Sequence, residues 1–270
     1  MPIIARLATF YETRGIAVST GLNPSHFGGF PLAPFTWFFK DGVSLTNGLG
    51  IAMQEIYFLE CLFARYRPRH LFAIGNAAGW STLALALLNP LGQVLAIDAA
   101  SDRNARYGID FTNRVAAEEG LPARVVEGRS PADVPRILRE TGMVPIDFAF
   151  IDGYHSIRQV VEDFRAVRPF AAGDCVYLFH DVATFGLHPG IERITAESGL
   201  VAQHLPGTTS GMAILYDPEM RPAGLDDIAP FTAAPATLAL IEAEAWNRRH
   251  RHIARWRRSI GKRLGHGNAR

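Results

Sequence analysis

Residues 70–98 read HLFAIGNAAGWSTLALALLNPLGQVLAID, and this stretch shows most clearly the alternation of strand and helix patterns along the chain. A short apolar run ends at Gly75, an apolar helical segment covers 81–88, and a second apolar run ends at Asp98. Strand, helix and strand within about 30 residues is the length of one βαβ unit. The stretch therefore predicts two parallel strands joined by a helix.

The same alternation continues on both sides of this unit. Helical spacing of apolar residues and short buried-looking runs predict helices at 47–66, 104–119, 132–141 and 156–168, and strands at 123–127, 147–151 and 174–179. Two further runs, 204–205 and 212–216, flank turn residues and predict a hairpin or an antiparallel last strand. The pattern indicates an α/β fold with a doubly wound, mostly parallel sheet and helices on both faces.

The composition excludes several classes of protein. The chain has 270 residues, of which 48% are hydrophobic and 20% charged, which is unlike a disordered or collagen-like sequence. Its two cysteines, Cys61 and Cys175, are too few for a disulfide framework and lack the paired spacing of a zinc site. No uninterrupted apolar stretch has the length of a membrane helix. These features predict a protein of the cytoplasm.

The net charge of +1 is the sum of two unlike parts. Residues 245–270 hold eight Arg, one Lys and no carboxylate, a charge of +9, while residues 1–244 hold the other 18 basic residues and all 26 acidic ones, a charge of −8. The tail carries one apolar stripe at helical spacing, formed by Trp246, Ile253, Trp256, Ile260 and Leu264. We expect a helix over 235–264.

This stripe is expected to pack on the acidic body of the same subunit or of a second one, which favours a homo-oligomer. A membrane-surface helix and contact with nucleic acid are the alternatives. Nucleic acid is disfavoured because the basic residues are confined to the tail. Deletion of 245–270 is therefore expected to change oligomeric state or solubility before it changes the chemistry.

Ligands of open parallel sheets bind beyond the carboxyl ends of the strands, and here those positions are unusually polar. They are Gly75-Asn76-Ala-Ala-Gly79, Asp98, Gly128-Arg129-Ser130, Asp152-Gly-Tyr-His155 and His180-Asp181. Any one of them, taken alone, is also what an ordinary turn or helix cap requires. Five such positions at neighbouring strand ends indicate a functional site.

The first turn has glycines four apart directly before a helix that begins near Ser81, so a ligand can approach the backbone there. Asp98 follows 23 residues after Gly75, at a position from which a carboxylate can accept hydrogen bonds from both hydroxyls of a ribose. Together these features indicate a cofactor that contains adenosine.

Asp152 and the pair His180-Asp181 end two strands that are expected to be neighbours. Oxygen and imidazole ligands without a thiolate suit a hard or borderline divalent cation, most simply Mg²⁺, with Mn²⁺ or Fe²⁺ as alternatives. His155 is a candidate general base because the ordinary pKa of histidine lies near neutrality.

The segments LFAIGNAAGWSTLALAL, VLAID and FAFIDGYHSIRQVVEDFRAVRPFAAGDCVYLFHDV resemble the class I S-adenosylmethionine-dependent methyltransferases. The resemblance spans about residues 47–216, and its branch comprises small bacterial O-methyltransferases of sugars and secondary metabolites. It implies a Rossmann-like, seven-stranded sheet with an antiparallel last strand. It divides the chain into a substrate-covering segment at 1–46, a cofactor-binding domain at 47–218, and a basic amphipathic helix and tail at 219–270.

The resemblance also implies roles for single residues. Gly75, Asn76 and Gly79 would line the methionine part of the cofactor, Asp98 would hold its ribose, and Arg129 and Ser130 would lie near its adenine. Ser81 and Asp152 complete the expected cofactor site. Asp152, His180 and Asp181 would hold Mg²⁺ or another divalent cation, and Asp152 and His180 would act beside His155, which would remove the proton of the acceptor hydroxyl.

Two positions depart from the pattern of this family. Ala73 stands where an acidic residue usually lies near the amino group of the cofactor, so that group needs another partner, for which Glu55 is a candidate. His180 stands where metal-dependent members have Asp. With one carboxylate fewer, the alternatives are weak Mg²⁺ binding, a preference for a softer ion, or a metal-free His155/His180 acid–base pair.

The resulting expectation is methyl transfer to a hydroxyl of a small metabolite. A non-catalytic scaffold that binds no cofactor, and N-methylation or metal-dependent hydroxylation at the same site, are the alternatives. Residues 21–45 mix Gly, Pro and aromatics and predict an ordered loop that closes over the substrate. Its aromatic residues Phe27, Phe30, Phe35, Trp37 and Phe38 would favour a partly apolar or ring-bearing acceptor. The same residues would also serve as core cover or as a dimer contact.

Overall fold

A computed structural model of the protein describes residues 1–27, 30, 32–46, 49–233 and 239–240. Met1–Thr232 forms one compact unit, and a second unit begins at Ala233. The helix predicted over 235–264 lies outside the described residues except for Ala239 and Leu240, which are helical.

The first unit contains ten strands and seven helices among its described residues. The strands are β1 (Ala17–Ser19), β2 (Trp37–Lys40), β3 (Val43–Ser44), β4 (His70–Ile74), β5 (Gln93–Asp98), β6 (Ala123–Glu127), β7 (Ile146–Ile151), β8 (Ala171–Phe179), β9 (Val201–Leu205) and β10 (Met212–Tyr216). The helices are α1 (Ile3–Glu12), α2 (Met53–Arg65), α3 (Trp80–Leu88), α4 (Arg103–Glu118), α5 (Val134–Thr141), α6 (Ile157–Val167) and α7 (His188–Ser198).

The main sheet has seven strands in the order β6-β5-β4-β7-β8-β10-β9. Strands β6, β5, β4, β7 and β8 are parallel, and β10 runs antiparallel to both β8 and β9. The predicted Rossmann-like sheet with an antiparallel last strand is confirmed. Its register pairs Ile74 with both Ile97 and Ile151, and Ile151 with Phe179, so the parallel strands end at one edge.

The strands of this sheet are buried on both faces, which is why they lack a polar–apolar alternation. In β4, Leu71 and Ala73 belong to one apolar core with α2, α3 and α4, while Phe72 and Ile74 belong to a second core with α5, α6 and α7. The two cores hold the sheet rigidly between helix layers, and the polar strand ends project beyond both of them.

The N-terminal region differs from the prediction, because residues 21–45 contain β2 and β3 as well as loop. These strands and β1 form a small antiparallel sheet. Strand β2 reads WFFK, and both Trp37 and Phe38 are buried, so no period-2 pattern marks it. Helix α1 precedes this sheet, and its Tyr11 hydroxyl donates a hydrogen bond of 2.9 Å to the carbonyl oxygen of Ala78.

None of the helices in the described residues has both the length and the hydropathy that a membrane span requires.

Candidate active site

The carboxyl ends of β4, β5, β6, β7 and β8 open into a cavity of about 650 Å³. Residues that follow each of these strands line it, and part of the segment 32–50 forms the opposite wall. Every sequence-predicted site residue except Gly79 is part of the lining. Gly79 lies beneath it as the residue that precedes α3.

Two glycines shape the turn after β4. Gly75 has φ +98°, and a Cβ there would lie 2.1 Å from the carbonyl oxygen of Asp152. Gly79 has φ +90°, and a Cβ there would lie 2.0 Å from the hydroxyl oxygen of Thr112. Each position therefore needs glycine both for its left-handed backbone and for close approach of a neighbouring element.

The side chain of Asn76 points into the protein and not into the cavity. Its Oδ1 accepts a hydrogen bond of 2.9 Å from the Thr82 hydroxyl, and its Nδ2 donates to the carbonyl of Ala77 and to the Thr112 hydroxyl at 3.2 and 3.3 Å. The buried amide thus fixes the shape of the glycine turn.

The carboxylate of Asp98 ties the ends of β4 and β5 together. Its Oδ2 accepts the backbone N–H groups of Asn76 and Ala77, both at 3.0 Å, and its Oδ1 accepts the N–H of Ala100 at 3.0 Å. Because a carboxylate has about four acceptor positions, this arrangement leaves Oδ1 with capacity for a further donor in the cavity.

Four side chains converge beyond the ends of β7 and β8. The Nε2 atom of His155 lies 3.4 Å from Asp152 Oδ1 and 3.2 Å from Asp181 Oδ2. The Nδ1 atom of His180 lies 3.2 and 3.3 Å from the same two oxygens. Asp181 reaches this position through a left-handed backbone with φ +57°. The pair of carboxylates is therefore flanked by two imidazoles.

The ring nitrogen of His180 that does not face Asp152 and Asp181 is bound by Glu55, a residue of α2. Nε2 of His180 lies 3.0 Å from Glu55 Oε2, and the side chains of Glu55 and His180 are 0% and 4% exposed. Glu55 also accepts the backbone N–H groups of Ala52 and Ser210, each at 2.8 Å. Its oxygens are thus occupied within the protein, so Glu55 does not fit the role of a partner for the amino group of a cofactor.

In this cluster the carboxylates stabilise the charged form of His180, and the histidines stabilise the ionised form of Asp152. Burial opposes a charged His180, but the nearby carboxylates of Asp152 and Glu55 outweigh it and raise the pKa of His180 well above its usual value. Burial likewise opposes ionisation of Asp152, yet His180 and His155 hold its pKa well below the usual range. The cluster is therefore a buried ion-pair network that depends on all of its members.

The donor atoms of Asp152, His155 and Asp181 all lie within 4.8 Å of one another, a spacing that a metal ion can bridge. Two atoms beside them, His180 Nδ1 and Asp181 Oδ1, are buried and make no hydrogen bond within the described residues. Carboxylate oxygens with an imidazole nitrogen are ligands for a hard or borderline divalent cation. The residues present thus fit a cation at this point.

Ser130 and Arg129 follow β6 on the far side of the cavity. The Ser130 hydroxyl donates a short hydrogen bond to Oδ1 of Asp163, a buried residue of α6, and Gln159 donates to the same oxygen at 2.8 Å. Burial raises the pKa of Asp163 to about 6. Arg129 is exposed, and its backbone N–H is bound by Asp133. Asp163 is not at a strand end but inside α6, so its position in the sequence does not mark it as a site residue.

The aromatic residues of the N-terminal region divide between two roles. Phe38 packs in the core against Tyr11 and Trp80, with ring centroids 4.8 and 5.7 Å apart, and Phe30 packs on Trp37 at 4.5 Å. Phe35 lines the cavity. A residue that the sequence analysis did not consider, Phe185, also lines it and stacks on His155 with a centroid distance of 4.3 Å and an interplanar angle of 10°.

Residues 72–182 match a family model described as a methyltransferase domain. This range runs from within β4 to the residues just after β8, and so includes the carboxyl end of every strand that contributes to the cavity. No curated protein sequence matches the chain.

Solved structures share the fold at low sequence identity. The O-methyltransferase TomG from Streptomyces achromogenes, described as involved in tomaymycin synthesis and solved with S-adenosylmethionine, is 20% identical, with a TM-score of 0.52 over 63% of this chain and 82% of its own. A Bacillus cereus O-methyltransferase in complex with S-adenosylhomocysteine is 19% identical, with a TM-score of 0.50 over 62% and 82%. A Geobacter sulfurreducens methyltransferase is 14% identical, with a TM-score of 0.53 over 80% and 88%.

Proposed function

We propose that this chain, whose residues 72–182 match a methyltransferase domain, is a class I, S-adenosylmethionine-dependent methyltransferase that methylates a hydroxyl group of a small metabolite. The observation that carries the proposal is one cavity in which the Asp98 carboxylate and the Asp152/His155/Asp181 cluster face the same space. Such a transfer needs a group that holds the ribose of the cofactor and, close to it, a base that takes the proton of the substrate hydroxyl.

The cofactor half of the cavity is assigned to the ends of β4, β5 and β6. The turn from Gly75 to Gly79, which leads to Ser81 at the start of α3, offers backbone to the methionine part of the cofactor. Asp98 is assigned to the ribose, because Oδ1 has acceptor capacity beyond the N–H of Ala100. Asn76 contributes through its backbone. Arg129 and Ser130 are assigned to the adenine end, and Asp152 borders the methionine end beside Gly75.

S-adenosylmethionine supplies a methyl group on a positively charged sulfur, which leaves as a neutral thioether. In the proposal, Nε2 of His155 donates to the neighbouring carboxylates, and Nδ1, the ring nitrogen that does not face them, accepts the hydroxyl proton while the acceptor oxygen forms its bond to the methyl carbon. Asp152 and Asp181 orient His155 from one side, and Phe185 supports its ring by stacking. The partly exposed edge of His155 leaves room for the acceptor oxygen.

A divalent cation is assigned to Asp152, Asp181 and Nδ1 of His180, where it would replace the proton that Nδ1 carries in the metal-free ion-pair network. Nε2 of His180 is bound to Glu55, so Nδ1 is the ring nitrogen left for a ligand role, and it is buried without a hydrogen bond in the described part of the chain. When bound, such a cation would stabilise negative charge on the acceptor oxygen. This assignment leaves His155 free to act as the base.

The proposal is tested with the purified full chain, S-adenosylmethionine, Mg²⁺ and a panel of hydroxylated acceptors. Mass spectrometry should find products that are heavier by one CH₂, whereas hydroxylation would add one oxygen. His155→Gln should lower kcat by about 10²-fold or more while S-adenosylhomocysteine still binds. His70→Gln, at the opposite end of β4, is the matched control and should keep its activity.

Calorimetry with Mn²⁺ separates the roles of the two histidines. His180→Gln should weaken cation binding, whereas His155→Gln should leave it nearly unchanged. Failure of the protein to bind S-adenosylmethionine or S-adenosylhomocysteine would overturn the proposed function itself.

A further inference from the structure

The half of the cavity that would receive the acceptor has an apolar wall. Phe35 and Phe185 line the cavity beside His180 and His155, and Leu32, Leu45 and Leu49 of the segment 32–50 also line it. Leu49 and Phe185 are exposed although both are large and apolar, and the exposed fraction of Phe185 is 52%. Exposed apolar side chains that line a cavity are typical of a ligand-binding surface.

Both imidazoles of the cluster pack against phenylalanine rings of this wall. Phe185 stacks on His155, and Phe35 meets His180 edge-on, with ring centroids 6.4 Å apart and an interplanar angle of 69°. His155 covers one side of the Phe185 ring, and half of that side chain still faces solvent. An acceptor whose oxygen contacts His155 would therefore have its carbon skeleton beside Phe185.

The charges near this wall disfavour an anionic acceptor. Asp152 and Asp181 carry negative charge beside His155, and Glu55 adds a third carboxylate behind His180. Among the described lining residues, Arg129 is the sole Lys or Arg. It follows β6, three strands from β7, which corresponds to about 14 Å at the usual strand spacing. Apart from the divalent cation assigned above, which the acceptor hydroxyl would occupy, a phosphate or carboxylate elsewhere on the acceptor would lie among apolar side chains and carboxylates, with no nearby Lys or Arg of the described lining to pair with it.

The same wall offers little to a polyhydroxylated acceptor. The Thr184 hydroxyl, which lies next to Phe185, already donates to the carbonyl of Ser210 at 3.2 Å. Apart from the Thr46 hydroxyl, which is buried and makes no hydrogen bond within the described residues, the hydroxyl groups of a free sugar would lose their hydration against leucine and phenylalanine side chains.

We propose that the acceptor is an uncharged hydroxy compound built on a planar ring, and that Phe185 selects it by packing on that ring. The inference rests on the proposed function and names its substrate class. It assigns to Phe185 a specificity role that depends on contact with the acceptor, in addition to the support it gives to His155.

The test measures binding, so that it does not depend on turnover. The full chain is saturated with S-adenosylhomocysteine and Mg²⁺ and titrated in a calorimeter with 3,4-dihydroxybenzyl alcohol, with 3,4-dihydroxybenzoate and with glucose. The first two differ only in the charged group, and glucose replaces the ring by a polyol. We expect the alcohol to bind about tenfold or more tightly than either of the others.

Phe185→Ala should weaken binding of the alcohol by about tenfold, which is the usual contribution of an aromatic pair. Phe27→Ala removes an exposed phenylalanine that is not among the lining residues, and it should leave the affinity unchanged. Equal or tighter binding of the benzoate or of glucose, no binding of the alcohol, or an unaffected Phe185→Ala variant would each overturn the inference. The proposed function fails separately, if the acceptor-free protein does not bind S-adenosylhomocysteine.

Discussion

Oε2 of Glu55 lies 3.0 Å from Nε2 of His180, and the two residues are 125 positions apart in the chain. A fully buried carboxylate is costly unless a partner of opposite charge and hydrogen-bond donors surround it. Glu55 has both, because it accepts from His180 and from two backbone N–H groups. The pair anchors α2 to the end of β8 and fixes which ring nitrogen of His180 faces Asp152 and Asp181.

The first prediction concerns this pair. Glu55→Ala leaves a buried imidazolium without its partner, so the free energy of unfolding should fall by about 3–5 kcal/mol, as measured by urea denaturation. Glu60→Ala changes an exposed residue of the same helix and should shift the free energy by about 0.5 kcal/mol or less. Equal stability of the two variants would show that the buried pair does not stabilise the fold.

The second prediction concerns the glycine turn. Gly75→Ala must accommodate both a positive φ and a Cβ 2.1 Å from a backbone oxygen, so it should cost about 3 kcal/mol or more. Gly120→Ala has a similarly positive φ of +64° but open space around its Cβ, and it should cost only about 1 kcal/mol. Thermal unfolding of both variants checks the difference. Similar losses would mean that the contact with Asp152 relaxes without strain.

The third prediction concerns the cofactor. Asp98→Asn keeps the size of the side chain but replaces an oxygen that accepts a backbone N–H by an NH₂ group, which places two donors face to face. We expect S-adenosylhomocysteine to bind about tenfold or more weakly, measured by calorimetry. Asp110→Asn, on the exposed face of α4, is the control and should bind as the unaltered protein does.

The fourth prediction is a pH dependence that originates at Asp163. The pKa of Asp163 is raised to about 6 in the folded protein. Between about pH 4 and 6, Asp163 therefore keeps its proton in the folded protein but has lost it in the unfolded chain. Stability should therefore fall as the pH rises through this range, by up to about 3 kcal/mol from this residue alone.

The variant Asp163→Asn imitates the protonated acid and should remove this component of the pH dependence. Above pH 7 the variant should be more stable than the unaltered protein, whereas near pH 4 the two should be similar. Urea unfolding at a series of pH values provides the measurement. Parallel stability curves for the two proteins would exclude Asp163 as the source.

The main sheet could be predicted from the sequence because its strands are short apolar runs that alternate with helices. Helices α1 and α7 are absent from the sequence prediction. Both are short and bury only three residues each, Leu7, Phe10 and Tyr11 in α1 and Gly190, Ile191 and Ile194 in α7, which gives a weak helical pattern. Strands β2 and β3 were missed for a different reason. Phe38 of β2 packs on Tyr11 of α1 and on Trp80 of α3, and no local sequence pattern records such tertiary contacts.

The residues of the candidate site also divide into those that the sequence predicts and those that it does not. Asp98, Asp152, His155 and Asp181 were identifiable because topology alone brings the ends of parallel strands to one edge. The supporting residues were not identifiable in these roles: Glu55 reaches the site from α2, Asp163 from inside α6, and Phe185 from the loop after β8. Their contributions depend on tertiary contacts between distant parts of the chain, so a single sequence gives no spacing from which to infer them.

The hydrogen bond from Tyr11 to Ala78 has a consequence for how ligands enter and leave. Tyr11 is buried and contacts Phe38, Trp80 and Phe111, so α1 is joined to the glycine turn by both polar and aromatic contacts. Opening of the cavity by displacement of the whole N-terminal region would disrupt that turn. We therefore expect α1 to move together with the sheet and the glycine turn in any opening of the cavity.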